Sequence, residues 1–215
     1  MSEHIEILTP PAFEPVTLDQ AKLYLRVDIP DEDGLIQGLI TAARVACEAI
    51  LRQAIPATTW AWSLDSFPGG GGYYRRGYRD AGLGPGWYPG GDTPLVVPNP
   101  PLIAVESIQY RDSGGALVVL PPEAYEVSTG FGSRIQPAPG SAWPVAQAQI
   151  DAVTVRFRSG RASAAEVPQP VITAVLMLVA HWFENRDTTV IGPAVNRIPD
   201  AVDLLLASVA HGSYV

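Results

Sequence analysis

The side chains best suited to recognition are concentrated in a glycine-rich segment, residues 68–93, which holds half of the chain's 20 glycines. Aromatic rings can stack on nucleic-acid bases while guanidinium groups pair with phosphates, and both residue types are also common in protein–protein interfaces. We therefore predict an inter-subunit or DNA-contacting loop here, against the alternative of a solvated loop with incidental tyrosines. The residues concerned are Tyr73, Tyr74, Arg75, Arg76, Tyr78 and Arg79.

The sequence offers little for catalysis or metal binding. His181 and Glu184 are three residues apart on a predicted helix, a spacing that suits two metal ligands, but no second His or Cys completes such a site. The single cysteine, Cys47, lies on the apolar face of another predicted helix, where it is expected to act as a small buried hydrophobe. We predict no enzymatic activity, no catalytic residue, no metal and no cofactor.

The C-terminal segment from Leu204 to Val215, LLLASVAHGSYV, has no formally charged side chain. Three consecutive leucines cannot all be buried by one face of a helix, so a docking tail that fits a groove on a partner is predicted. An aromatic residue is the expected anchor, and a frayed terminus is the alternative. The residues assigned to docking are Ser208, His211, Tyr214 and Val215.

Helical periodicity predicts the elements at both ends of the chain. Residues 17–52 form two helices around an acidic turn, the first opened by a capping box of Thr17 and Gln20. A third helix covers 171–183, which is so apolar that it must be buried in a deep core or between subunits. A short last helix follows, with Ala201, Leu204, Leu205 and Ser208 along one face. The predicted helical core contains Leu39, Ala43, Ile50, Leu176, Val179 and Trp182.

Between these helices the pattern changes to short strands. Residues 153–159 alternate apolar and polar side chains, and SGG joins two strands as a hairpin turn would. The proline-rich residues 1–15 are expected to form an extended arm that frays or lies on a neighbour. The predicted class is α+β: a helical bundle of two N-terminal and two C-terminal helices (1–57 and 165–215), with an inserted small antiparallel β-sandwich or barrel (58–164).

The chain carries a net charge of −8. This argues against a general nucleic-acid binder, whose affinity comes from neutralising phosphates. One cysteine permits no disulfide within the chain, which is typical of synthesis in a reducing compartment. The N-terminus lacks the pattern of a signal peptide, and no apolar run was found long enough to cross a bilayer. We predict a protein made in the cytoplasm, with no membrane partner.

Several segments together resemble one family. The sequence of Thr17–Arg52 resembles the corresponding part of the head–tail connector (adaptor) proteins of long-tailed bacteriophages and gene transfer agents. The resemblance continues in TTWAWSLDSFP, PPLIAVESIQY, AYEVSTG and RIQPAPGSAWP, and its most specific part is VPQPVITAVLMLVAHWFENRD. Residues 68–93 depart from the family as a longer insertion.

The resemblance implies a structural virion protein with no catalytic residues. Such proteins form a dodecameric ring beneath the portal, join the DNA-filled head to the tail, and line the channel through which DNA leaves. The expected partners are further copies of the chain, the portal protein, a stopper or tail-completion protein, and DNA that passes without specific binding. The resemblance also implies that the C-terminal part engages the portal, which makes Ser208, His211, Tyr214 and Val215 the expected portal-docking residues. The expected location, after synthesis in the host cytoplasm, is the neck of the virion at the head–tail junction. The alternative is a β-sandwich that binds a ligand or carbohydrate through the aromatic loop, including Trp87 and Tyr88.

Overall fold

The computed structural model describes residues 4–68, 93–185 and 200–210. Two compact units divide the chain. The β unit contains the described residues of Met1–Pro11 and Ala57–Gly160, and the helical unit contains those of Ala12–Pro56 and Arg161–Ala210. Helices and antiparallel sheets occur in separate stretches, so the predicted α+β class is confirmed.

The described part of the helical unit contains four α-helices: α1 (Leu18–Leu25), α2 (Asp33–Leu51), α3 (Gln169–Glu184) and α4 (Asp200–Ala207). The predicted capping box opens α1, because the Thr17 hydroxyl accepts from Gln20 N at 3.2 Å and Gln20 Oε1 accepts from Thr17 N at 2.9 Å. Both α1 and α2 end on an arginine in the left-handed conformation, Arg26 and Arg52. That conformation turns the chain out of the helix.

All four helices contribute to one hydrophobic core. The predicted contact between α2 and α3 is confirmed, and Ala43 and Val179 are fully buried. Ile50 was placed wrongly, since it is 39% exposed. Leu51, about 100° further around the helix, is the buried residue instead. Three other predicted core residues are half-buried and pack against the core: Leu39, Leu176 and Trp182.

The α3 helix is less deeply enclosed than its composition predicts. Every residue from Val171 to Phe183 is buried or half-buried. Full burial is confined to one face, made by Val171, Ala174, Val175, Leu178 and Val179. The single chain therefore leaves the opposite face of this apolar helix partly accessible.

The β unit contains two antiparallel sheets. The five-stranded sheet has the order β1 (His4–Thr9), β2 (Thr58–Leu64), β8 (Val153–Ser159), β4 (Leu102–Arg111), β5 (Leu117–Leu120). The three-stranded sheet has the order β3 (Leu95–Val96), β7 (Arg134–Pro137), β6 (Tyr125–Ser128). Side chains of both sheets contribute to one hydrophobic cluster.

The central strand β8 has the alternation predicted for it. Val153, Val155 and Phe157 are buried, whereas the alternate residues Arg156 and Arg158 are exposed and Thr154 is half-buried. The predicted β4–β5 hairpin is also confirmed. Its turn is held by Asp112, whose carboxylate accepts from the backbone N–H groups of Gly114 and Ala116, both at 2.9 Å.

The prediction of an N-terminal arm is wrong for His4–Thr9. These residues are extended, as expected, but they pair antiparallel with β2 and form an edge of the five-stranded sheet of the same chain. Ile5 packs against the β-unit cluster. The physical reason is that each ladder partner lies 50 or more residues away in sequence, so no local pattern indicates the pairing.

Candidate assembly surface

Most residues predicted to make contacts lie outside the described residues. This holds for the loop residues Tyr73, Tyr74, Arg75, Arg76, Tyr78 and Arg79, and for the tail residues His211, Tyr214 and Val215. Ser208 is described. It is exposed immediately after α4, and its hydroxyl donates to the carbonyl of Leu205 at 2.6 Å.

The α4 helix explains how the leucine run divides between core and surface. Leu206 is 1% exposed, Leu204 is 75% exposed, and Leu205 is half-buried. The prediction that one face cannot bury all three is therefore confirmed. The core side of α4 is made by Val202 and Leu206. Of the residues predicted along one face, Ala201, Leu204 and Ser208 are exposed and Leu205 is half-buried.

A charged network that sequence reasoning missed lies along the inner side of α2. The Arg44 guanidinium pairs with Glu14 at 2.8 Å and with Glu48 at 2.7 Å. Thr41 donates to the Glu14 carboxylate, and Glu48 accepts from the backbone N–H of Ile55 at 2.9 Å. The Arg44 guanidinium thus links Glu14, in the segment before α1, to Glu48, near the end of α2. The i,i+4 spacing of Arg44 and Glu48 was the available signal.

The environment of this network shifts the acid–base behaviour of two groups. Burial raises the pKa of Glu48 above its usual value, although the Ile55 N–H and the Arg44 charge act in the opposite direction. Burial, together with the smaller effect of the Glu48 charge, raises the pKa of the Cys47 thiol to about 12. A thiol that stays protonated is a poor nucleophile, so the interpretation of Cys47 as a core residue is confirmed by its burial.

Within residues 4–68, 93–185 and 200–210, no group of three or more His, Cys, Asp or Glu side chains is arranged to hold a metal ion. His181 is half-buried near the end of α3, and its carbonyl accepts from the Asn185 side chain at 2.7 Å. A depression of about 170 Å³ lies over β6 and β7, below the roughly 300–1,000 Å³ typical of small-molecule sites. The stacking residues of the carbohydrate alternative, Trp87 and Tyr88, lie outside the described residues.

Solved structures of gene transfer agent particles share this fold over almost the whole chain. A chain in the virion of a native particle matches with a TM-score of 0.70 and 17% identity, covering 98% of this chain and 96% of that one. The chain has the fold of a component of these particles. The neck of an empty particle, computed with C6 symmetry, contains a match with a TM-score of 0.68, 16% identity and coverage of 95% and 94%.

The neck of a native gene transfer agent particle, computed with C12 symmetry, contains a third match. Its TM-score is 0.62 at 15% identity, with coverage of 95% of this chain and 93% of that one. No protein-family model matches the chain, and no curated protein matches it. At these identities the likeness is one of fold, and it includes the helical unit and the β unit together.

Proposed function

We propose that this protein is a structural component of a virion neck, a head–tail connector (adaptor) that forms a ring beneath the portal. Such a ring joins the DNA-filled head to the tail and lines the DNA exit channel. The observation that carries the proposal is the match to neck structures over 93–94% of their chains and 95% of this one. Because the aligned residues make up more than nine-tenths of each chain, little of either chain can have a different fold.

The charge of the chain supports this role. A channel for DNA must let phosphates pass without holding them, and a net charge of −8 disfavours tight binding. A structural rather than an enzymatic role also agrees with the inert environment of Cys47, the chain's single thiol. The proposed partners are further copies of the chain, the portal protein, and a stopper or tail-completion protein.

Two segments are proposed as contacts within the neck. The tail that contains Ser208, His211, Tyr214 and Val215 docks on the portal, and the exposed Leu204 at its start supports an apolar contact there. The 68–93 loop, with Arg75, Arg76 and Arg79, contacts a neighbouring subunit or the passing DNA. We also propose that the helical and β units are separate domains, the latter a sandwich or barrel.

Removal of the gene from cells that produce the particles tests the proposed function. We expect DNA-filled heads and free tails by negative-stain electron microscopy, and joined particles again when the gene is restored. Cryo-electron microscopy of the restored particles should then show density for this fold in a ring at the neck. Normally joined particles in the absence of the gene would contradict the proposal.

A further inference from the structure

The α2 helix has its charges on the inside. Beyond Asp33 in its first turn, its charged residues are Arg44 and Glu48. Arg44 is 8% exposed, Glu48 is half-buried, and the two pair with each other while Arg44 also binds Glu14. A surface helix normally places charged residues towards water and apolar residues towards the core.

The opposite, solvent-facing side of α2 carries no charge. We call it the α2 outer face, and its exposed members are Gly34, Leu35, Gly38, Ala42, Val45 and Ala49. Leu35 is 43% exposed and Val45 is 52% exposed. From Gly34 to Ala49 this strip is about 23 Å long at 1.5 Å per residue. The sequence was not expected to contain a segment able to cross a bilayer, but Pro30–Leu51 is long and apolar enough to do so by length and composition alone. Core helices can have the same composition, and the inner side of this segment packs on α3.

We propose that the α2 outer face is the surface on which the adjacent copy of this chain packs. The proposal rests on the ring proposed above and names the contact that would build it. In a cyclic ring every copy must present surfaces to two neighbours, and the neck structures that share this fold were computed with C6 and C12 symmetry.

The net charge of the chain favours a second copy as the molecule that covers the α2 outer face. Two copies that each carry −8 repel one another, and the repulsion is smaller where the side chains that meet carry no charge. The α2 outer face is such a surface. Gly38 and Ala42 in its middle also allow another helix to approach closely, and a side chain added at Gly38 would meet no atom of the same chain within 4 Å.

A photo-crosslinking amino acid in place of Ala42, in the full-length chain within assembled particles, tests which molecule covers this face. The expected product after irradiation is a dimer of this chain, identified by mass spectrometry from a peptide of a second copy. Crosslinks to a different virion protein or to lipid would overturn the proposal. Absence of any crosslink, with the substituted chain present in particles, would also overturn it.

A matched pair of substitutions supplies an independent readout. Val45→Glu places a charge on the α2 outer face, and Val145→Glu places the same charge at a position of the β unit that is 80% exposed. Because neither side chain is buried, both variants should keep the circular dichroism spectrum and melting temperature of the parent. We expect Val45→Glu to reduce incorporation into particles at least tenfold and Val145→Glu to leave it unchanged.

The outcomes separate this inference from the proposed function. Equal incorporation of the two variants would overturn the α2 contact while leaving the neck role intact. Absence of the parent chain from particles, measured by mass spectrometry in the same preparation, would contradict the neck role itself. Loss of Val45→Glu through misfolding would appear as a lowered melting temperature and would show that the residue belongs to the core rather than to an interface.

Discussion

At the scale of single residues, Arg44 is the side chain that joins two carboxylates at the buried edge of α2. Its guanidinium binds two carboxylates, one 30 residues before it and one four residues after it. Such a pair is costly to break from one side, because the carboxylates remain partly buried without a counter-charge. The network therefore fixes the segment before α1 against the end of α2.

Replacement of this cation should destabilise the fold. For Arg44→Met we expect a loss of about 3 kcal/mol in the free energy of unfolding at neutral pH, the lower end of the range for a broken buried ion pair. Urea denaturation followed by circular dichroism measures it. Arg158→Met, at an exposed position of β8, is the control and should stay within about 0.5 kcal/mol of the parent. Equal effects in the two variants would contradict a special role for Arg44.

Glu48 should make stability depend on pH in a defined direction. Its pKa is raised by folding, so the folded state binds more protons than the unfolded state above the usual carboxyl range. The contribution of this group to stability is then largest at acidic pH and falls as the pH rises through the raised pKa. Glu48→Gln removes the titration.

Urea unfolding of the parent and of Glu48→Gln tests this expectation. The measurement is repeated at several pH values from about pH 4.5 to about pH 7.5, which covers the region above the usual carboxyl pKa. The free energy of the parent relative to Glu48→Gln should decrease as the pH rises. A difference that stays constant across the range would show that Glu48 titrates alike in both states. A difference that increases with pH would show that the Arg44 charge outweighs burial.

At the scale of elements, the two C-terminal helices offer a matched test of which faces are buried. Leu178 on α3 is fully buried and Leu204 on α4 is 75% exposed. Leu178→Ala should cost about 2–5 kcal/mol because it removes contacts and leaves a cavity, whereas Leu204→Ala should cost less than about 0.5 kcal/mol. Thermal and urea unfolding measure both, and a large loss for Leu204→Ala would place that side chain in a core.

The sequence predicted those elements whose pattern is local. The alternation of β8, the capping box at Thr17 and the hairpin turn near Asp112 each depend on residues a few positions apart, and each is present. Pairing of His4–Thr9 with β2 depends on residues far apart in sequence. Periodicity also indicated an apolar face for α4 without fixing its centre, because three consecutive leucines fit two different faces.

At the scale of the whole molecule, the C-terminal tail is the segment whose removal separates folding from assembly. Val209 packs partly against the helical core, so deletion of 208–215 should lower the melting temperature slightly. Deletion of 211–215 alone should leave it unchanged. Both truncated proteins should remain folded by circular dichroism and fail to join portal rings in electron micrographs.

Normal assembly of both truncated proteins onto portals would contradict a docking tail. Loss of folding in the shorter deletion would show instead that 211–215 belong to a core.

The candidate contact residues were predicted from composition, namely from aromatic and arginine side chains in a glycine-rich loop and from an uncharged tail. Composition could not reveal the α2 outer face, because exposure of Val45 and burial of Arg44 follow only from the packed helices.

The interleaved path of the chain has a consequence for its synthesis on the ribosome. The strand β2 and the helix α2 emerge early, but their main partners, β8 and α3, lie in the last third of the chain. At roughly 5–20 residues per second, α2 waits on the order of 10 s before α3 leaves the ribosome. During that interval the apolar inner side of α2 and the unpaired edge of β2 are available to chaperones. Nascent chains stalled before Gln169 should therefore be bound by these factors and be sensitive to protease, and chains released at full length should be neither.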